Sequence, residues 1–323
     1  MKILLVKNEG WAPLKLKDEH LSKIRKIDSK IDLLVVPSDD SKEIQKQLID
    51  ADILAVNHAN FPSIKKARKL KWIQSFSAGL NKILVPDIIN SDILVSSLAG
   101  VQDISIAEHV LGFMLIFSRR FYETFKNQKQ KKWQKSQRIH ELRGKKILIV
   151  GLGNVGMEIA RISNCLGLEV FGIKKNIKLK PKFVKNVYAL DQIEKILPIA
   201  DFVVLSLPLT DNTYHLFDMK KFRVMKKSAV IINIGRGAII NEKDLINALN
   251  KKVIEGAALD VTEIEPLPTN SPLWNMENVV ITPHHSGPTD IFMDRAIDIF
   301  CLNLKAYLKG KPLPNLVDKK RGY

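Results

Sequence analysis

The stretch that most restricts this chain is KILIV at residues 146–150, followed without a break by GLGNVG at 151–156. An uninterrupted apolar run with β-branched members reads as a strand covered on both faces, which a parallel sheet provides. A helical pattern occupies residues 157–166, so strand, tight turn and helix follow in that order. Gly151 would allow the turn, Gly153 would let the backbone approach a pyrophosphate, and Gly156 would permit close packing of helix on strand. Phosphates would then sit at the helix N-terminus, held by the free N–H groups near Asn154 and Val155 and by the helix dipole.

The same strand-then-helix rhythm runs along most of the chain. Residues 2–6, 32–36, 52–56, 72–77 and 93–97 form a first series of strands, and residues 146–150, 169–173, 202–207, 229–233, 256–259 and 279–282 a second. The expected fold class is α/β, with two doubly wound parallel sheets, the second of about six strands. Between the series, residues 104–125 repeat apolar side chains at Ile106, Val110, Met114 and Phe117 and read as one helical connection. A last helix is expected over residues 290–308.

The 323 residues suffice for two domains, and 46% hydrophobic with 26% charged residues is the profile of a soluble globular protein. The formal charge of +17 would attract anions. The lysines are scattered, however, and KNQKQKKWQK at 126–135 reads as a solvated face without any nucleic-acid motif, so no specific nucleic acid is expected. The apolar stretch at 110–117 is too short for a bilayer, so no membrane association and a cytoplasmic location are expected. Cys165 and Cys301 lack metal-ligand spacing and read as two buried thiols, and no metal site is expected.

At the end of the strand after the glycine turn, roughly 20 residues past the first glycine, an acidic residue selects NAD through the ribose 2′-hydroxyl. This chain has Lys174 and Lys175 there. Two ammonium groups would attract a 2′-phosphate, each charge-assisted contact contributing about 1.5–3 kcal/mol, so NADP(H) is expected over NAD(H), which stays possible; the alternative is that both lysines are simply solvated. Three further strings follow: NIGRG at 233–237, EIEP at 263–266 and TPHHSG at 282–287. Reduction of a 2-oxo acid needs a cation for carboxylate and carbonyl oxygens, an acid for the oxygen that gains charge, and a carboxylate to orient that acid. Arg236, His284 and Glu265 are those types, each just beyond a strand of the nucleotide-binding series. His285 is the lesser candidate for the acid.

In the order glycine motif, N-x-x-R-G, E-x-E-P, P-H-x-x-G, these strings resemble the D-isomer-specific 2-hydroxyacid dehydrogenase family over nearly the whole chain. The resemblance implies a Rossmann cofactor domain, residues 101–287, and a flavodoxin-like substrate domain built from residues 1–100 and 288–323, with the site in the cleft between them. It assigns Arg236 to the substrate, Glu265 to the histidine and His284 to proton donation. It places Asp260 of ALDV on the nicotinamide carboxamide, and Leu207, Pro208, Ile234, Gly235 and Gly287 along the cofactor. The backbone N–H groups of Ser77, Ala78 and Gly79 in SAGLN would receive the substrate carboxylate.

Within that family, SRRFYETFKNQKQKKW at 118–133 and the ending PNLVDKKRGY at 314–323 are similar to the glyoxylate and hydroxypyruvate reductase branch, whose members often prefer NADPH. Lys174 departs from the acidic residue of NAD-using members, and His285 adds a second imidazole. The chain ends soon after His284, so no C-terminal regulatory domain is expected. The expected activity is NAD(P)H-dependent reduction of a small 2-oxo acid to a D-2-hydroxy acid, in a homodimer with residues 121–138 as plausible contacts. The alternative from another class is a dinucleotide-sensing interaction module of the C-terminal-binding-protein type. Formate oxidation would want an amide where Glu265 stands. Substrate choice would depend on loops such as residues 81–86 and Trp274.

Overall fold

Apolar runs with β-branched members bury both faces of a strand, and most of the twelve strands among the described residues are of this kind. The computed structural model describes residues 1–8, 11–57, 61–77, 79–80, 82–177 and 180–322. The chain divides into two compact units, Met1–Gln102 with Pro288–Tyr323, and Asp103–Gly287.

In the first unit, β1 (Lys2–Lys7), β2 (Asp32–Pro37), β3 (Ile53–Val56), β4 (Trp72–Ser75) and β5 (Leu94–Ser96) form a parallel five-stranded sheet in the order β2-β1-β3-β4-β5. Helices α1 (Asp18–Arg25), α2 (Ser41–Leu48) and α3 (Pro86–Ile89) lie between strands in sequence. Alternation along β1 sends Leu4 and Val6 to one core with Ile44 and Leu48 of α2, and Ile3 and Leu5 to another. That second core is completed from the far end of the chain by the helix Phe292–Leu308, whose Phe300 ring sits 5.6 Å from Trp72. The polar atoms buried there are paired: Trp72 Nε1 donates to Ser96 Oγ, while Ser96 Oγ and Asn303 Nδ2 both donate to Gln74 Oε1. Strand β4 stops at Ser75, two residues before the expected end, because the Ser77 N–H donates to Ser75 Oγ and closes a local turn.

The second unit holds α4 (Asp103–Ser118), α5 (Phe121–Lys129), β6 (Lys146–Val150), α6 (Asn154–Cys165), β7 (Glu169–Ile173), β8 (Asn186–Tyr188), β9 (Phe202–Leu205), α7 (Met219–Val224), β10 (Val230–Asn233), α8 (Glu242–Asn250), β11 (Gly256–Leu259) and β12 (Val279–Ile281). Its seven strands are parallel, in the order β12-β11-β10-β9-β6-β7-β8. Strand order reverses between β6 and β9, and a doubly wound sheet opens a crevice at the carboxyl ends of such a pair. Ile147 and Ile149 pack with Val110, Phe113 and Phe117 of α4 and with Ile159 and Ala160 of α6; Leu148 and Val150 face a core containing Phe217 and Phe222.

Four further expectations need correction. The second sheet has seven strands rather than six, since β8 is a short edge strand without a fully buried residue. The connection expected as one helix over 104–125 is two, because the chain turns at Arg120, whose φ is 57°. The buried Arg120 guanidinium holds that turn with a 2.7 Å ion pair to Glu255. Helix α6 begins at Asn154, so Gly156 lies inside its first turn rather than before it. Cys301 is buried but Cys165 is exposed; both are free thiols, and the α6 stripe Gly156, Ile159, Ala160 and Ser163 leaves Cys165 on the outer side. Among the described residues no helix is long and apolar enough to cross a membrane.

Candidate active site

The loops that leave β6, β9 and β10 meet at the reversal of strand order. Gly151 has φ of 112°, a backbone conformation that side chains disfavour, and a Cβ on Gly156 would overlap the Gly151 carbonyl oxygen. That close approach seats the start of α6 on the end of β6. Gly153 is the N-cap of α6, and among the described residues no side chain caps the first N–H groups of the helix, those of Asn154 and Val155 among them. Ser206 Oγ donates to the Gly151 carbonyl at 2.7 Å and ties the glycine turn to the segment that continues into Leu207 and Pro208. Beyond β10, the Ile234 N–H donates to Leu205 O and brings Gly235 beside the same segment. A glycine turn in which Gly151 and Gly156 have no room for a Cβ, with open space beside Gly153 and helix N–H groups that no side chain caps among the described residues, fits a dinucleotide pyrophosphate.

Lys174 follows β7 directly, anchored by its N–H to Tyr188 O at 3.0 Å, and Lys175 is exposed. Neither ammonium group has a carboxylate partner among the described residues. That leaves both charges available at the strand end where a ribose would lie.

Arg236 stands on a loop set by its own motif. The Asn233 side chain accepts from the Gly235 N–H at 3.1 Å and donates to Arg236 O at 3.0 Å, so it spans the turn from both ends. A Cβ on Gly237 would overlap the backbone of Thr262, so only glycine lets this loop press against the one that carries Glu265. Arg236 is partly buried, and its Nη1 donates to Gly235 O at 2.6 Å. Burial draws the guanidinium below its usual pKa and Glu265 offsets part of that, yet an arginine stays charged.

The Glu265 loop is braced along its length. Thr262 donates its N–H to Glu265 Oε1 and its hydroxyl to Ile264 O. Glu263 and Glu242 exchange backbone-to-carboxylate hydrogen bonds of 3.1 and 3.2 Å, and His215 Nε2 lies 2.8 Å from Glu263 Oε1. Across from this loop, His284 Nδ1 is 2.8 Å from Glu265 Oε2. His284 has φ of 50°, rare for a residue with a side chain, and its N–H is held by Asp260 O and Thr282 O. The hydrogen bond to Glu265 lifts the imidazole above its usual pKa against partial burial. Burial pushes the Glu265 carboxyl up, but His284, the Thr262 N–H and Arg236 together outweigh it and leave it below the usual range.

Asp260, expected beside the nicotinamide, is 2% exposed and spends both oxygens inside the protein. Oδ1 accepts from Thr282 Oγ1 at 2.6 Å and from the His285 N–H at 3.0 Å; Oδ2 accepts from the Ser286 N–H at 3.2 Å and Ser286 Oγ at 2.5 Å. It therefore clasps both sides of the loop bearing His284. Gly287 ends that loop with its carbonyl accepting from Ser105 Oγ. The His285 ring meets the His109 ring at 5.6 Å, and it is His284 whose ring reaches Glu265.

In the other unit Ser77 is buried, with its N–H on Ser75 Oγ, and Gly79 is half-buried. Ala78 and Asn81 lie outside the described residues. Sequence reasoning gave no role to Asn233, Thr282 or Ser286, although each stands inside a quoted string as a polar residue beside a functional one. His109 carried no signal at all, being one histidine on an apolar helix.

In this unit a glycine turn stands at the strand-order reversal, with Arg236 and the His284–Glu265 pair on neighbouring strand-end loops. Residues 111–286 match the family model for the NAD binding domain of D-isomer specific 2-hydroxyacid dehydrogenases. The chain is 31% identical to the glyoxylate reductase of Thermofilum pendens, over 98% of this chain and 88% of that protein. It is 32% identical to the D-3-phosphoglycerate dehydrogenase of Methanocaldococcus jannaschii over 86% of this chain, but spans only 53% of that longer protein. Among solved structures, the NADPH-dependent glyoxylate/hydroxypyruvate reductase of Sinorhizobium meliloti, in complex with NADP and sulfate, superposes with a TM-score of 0.83 at 25% identity, covering 100% of both chains. The chain belongs to the D-isomer specific 2-hydroxyacid dehydrogenase family, a family of oxidoreductases.

Proposed function

We propose that this protein reduces small 2-oxo acids to D-2-hydroxy acids, glyoxylate and hydroxypyruvate first among them, with NADPH preferred over NADH. The observation that carries the reading is the 2.8 Å contact between His284 and Glu265 on a loop pressed against the one bearing Arg236. With Nδ1 committed to the carboxylate, Nε2 is the atom left to hold the transferable proton, and Glu265 keeps the ring protonated nearer neutral pH. Arg236 offers a planar fork to the carboxylate and carbonyl oxygens of the acid, and its fixed charge opposes the negative charge that grows on the carbonyl oxygen. Asp260 holds the His284 loop in place through four hydrogen bonds. When bound, a nicotinamide supplies the hydride; Gly151, Gly153, Gly156, Asn154 and Val155 would hold its pyrophosphate, and Lys174 and Lys175 the ribose phosphate.

The glyoxylate reductase and the NADP-bound reductase among the similar proteins support the substrate class and the cofactor. Ser77 and Gly79 are assigned to the substrate carboxylate on family resemblance alone. A homodimer belongs to the same reading, supported by the apolar side chains that α5 and the following arm leave outside: Phe125 is 55% and Trp133 100% exposed. So does a cytoplasmic location, which two free thiols favour.

Initial rates on glyoxylate, hydroxypyruvate, pyruvate and bulkier 2-oxo acids with both cofactors test the proposal. Turnover of the first two with a higher kcat/KM for NADPH is expected. A higher value with NADH would remove the cofactor preference, and no turnover of any 2-oxo acid would remove the activity.

A further inference from the structure

Behind the His284 loop, three side chains from three separate elements converge. His109 comes from α4, Asp260 from the end of β11 and His285 from the loop after β12. Their nearest ligand atoms all lie within 4.8 Å of one another, and His109 Nε2 is 3.9 Å from Asp260 Oδ1. The two imidazole rings stand at 82° with centroids 5.6 Å apart, so they meet edge to face and do not stack. Neither the proton-transfer pair nor Arg236 uses either histidine. We propose that His109, Asp260 and His285 form a binding site for a transition-metal dication such as zinc, and that filling it loosens the hold on the loop that carries His284.

The donor set is two imidazole nitrogens and one carboxylate oxygen, which suits zinc, cobalt or nickel and not the all-oxygen preference of magnesium or calcium. Bond lengths of about 2.0–2.1 Å in a tetrahedral zinc site put ligand atoms roughly 3.3 Å apart, so these must close by about 1 Å. His285 is exposed and free to make that movement, whereas Asp260 is buried and fixed. Burial, opposed by Asp260 and aided by His285, lowers the pKa of His109, so near neutral pH its ring is already uncharged, as a metal ligand must be. Binding at His109 Nε2 releases the proton shared with the Thr282 hydroxyl, 3.0 Å away, and sends it to solvent or to Nδ1. Thr282 also donates its hydroxyl to Asp260 Oδ1 at 2.6 Å. Three protein ligands leave a fourth position open to water or a small anion.

The consequence for the loop follows from Asp260. Its Oδ1 already accepts from Thr282 and His285, so a cation on that oxygen competes with the bonds that hold the segment around His284. Metal occupancy should therefore slow any reaction that depends on His284. Binding is measured directly, so its failure and the failure of the proposed activity are distinguishable.

The experiment uses the full chain without an affinity tag, carrying Cys165→Ser to remove the exposed thiol as a competing soft ligand, and stripped with a chelator. Zinc is titrated by calorimetry, and cobalt(II) by its visible absorption. One saturable equivalent is expected, with a tetrahedral or five-coordinate cobalt band. His285→Ala and His109→Gln, each in that background, should weaken zinc binding by at least about tenfold, since loss of an outer-shell partner alone costs about 10–100-fold. Zinc should also lower the hydrogen-exchange protection of the His285 amide, which donates to Asp260 Oδ1. The proposal is overturned if the parent shows no saturable site, if both histidine variants bind zinc as the parent does, or if only His284→Ala abolishes binding.

Discussion

His284 Nδ1 and Glu265 Oε2 lie 2.8 Å apart, joined by a hydrogen bond that raises the pKa of one partner and lowers that of the other. The histidine's folded value lies above its ordinary ~6.5 and the glutamate's below its ordinary ~4.3, so the pair is complete between those values. Its stabilising effect is full in that window, fades as pH rises through the raised His284 value, and fades as pH falls through the lowered Glu265 value. The side chains are 50% and 38% exposed, which keeps the stability effect small and leaves catalysis as the sensitive readout. In Glu265→Gln, the pH at which 2-oxo-acid reduction falls off on the alkaline side should move to lower pH, with little change in thermal midpoint. A pH–rate profile matching the parent would remove Glu265 from this role.

Arg236 is the one cation placed by the Asn233-bracketed turn. Arg236→Ala should lower kcat/KM on glyoxylate by about 10²–10³-fold, the usual cost of losing one group that stabilises the charged oxygen, and Arg236→Lys should recover only part because it lacks the fork. Steady-state kinetics of the two variants at saturating cofactor decide this; equal rates in parent and alanine variant would contradict it.

Asp260 satisfies four donors around the His284 loop while almost wholly buried. Hydrogen bonds to a charged group contribute about 1.5–3 kcal/mol each, and donors left unsatisfied add a penalty. Asp260→Ala should therefore destabilise the fold by about 3 kcal/mol or more, and Asp260→Asn by less because one oxygen still accepts. Urea denaturation of the three proteins measures it. An alanine variant as stable as the parent would show that water replaces the carboxylate there.

Lys174 and Lys175, at the end of β7, have no carboxylate partner among the described residues. Lys174→Asp with Lys175→Ala should reverse the preference, cutting kcat/KM with NADPH by at least about tenfold, equivalent to about 1.4 kcal/mol, without loss with NADH. Equal losses with both cofactors would argue for a general disturbance instead.

Gly156 has no room for a methyl group beside the Gly151 carbonyl. Gly156→Ala should push α6 off the glycine turn and abolish measurable dinucleotide binding, as followed by nucleotide fluorescence. A variant that binds with parental affinity would mean the cradle is not the pyrophosphate site.

Much of this architecture can be read from particular residues. Ile147 to Val150 and Phe202 to Leu205 are apolar without interruption, and only burial on both faces explains such runs, so the parallel sheets were predictable. Strand β8, with its polar and half-exposed Asn186–Tyr188, carries no such signal and exists because the edge of β7 offers it hydrogen bonds. Likewise the helical period from Ile106 passes through the Arg120 turn unbroken, since what breaks the helix is an ion pair to Glu255, remote in the chain.

Most of the strands, the positions where the backbone must be glycine, and the side-chain types at strand ends are legible along the chain, because hydrophobic period and steric need are local properties. It takes the folded chain to show that Asp260 faces inward to its own loop, that Asn233 brackets the Arg236 turn, and that His109 stands beside Asp260 and His285. The contacts of Asp260 and His109 join residues from different elements, and they follow from sheet order and loop packing, which no local pattern encodes.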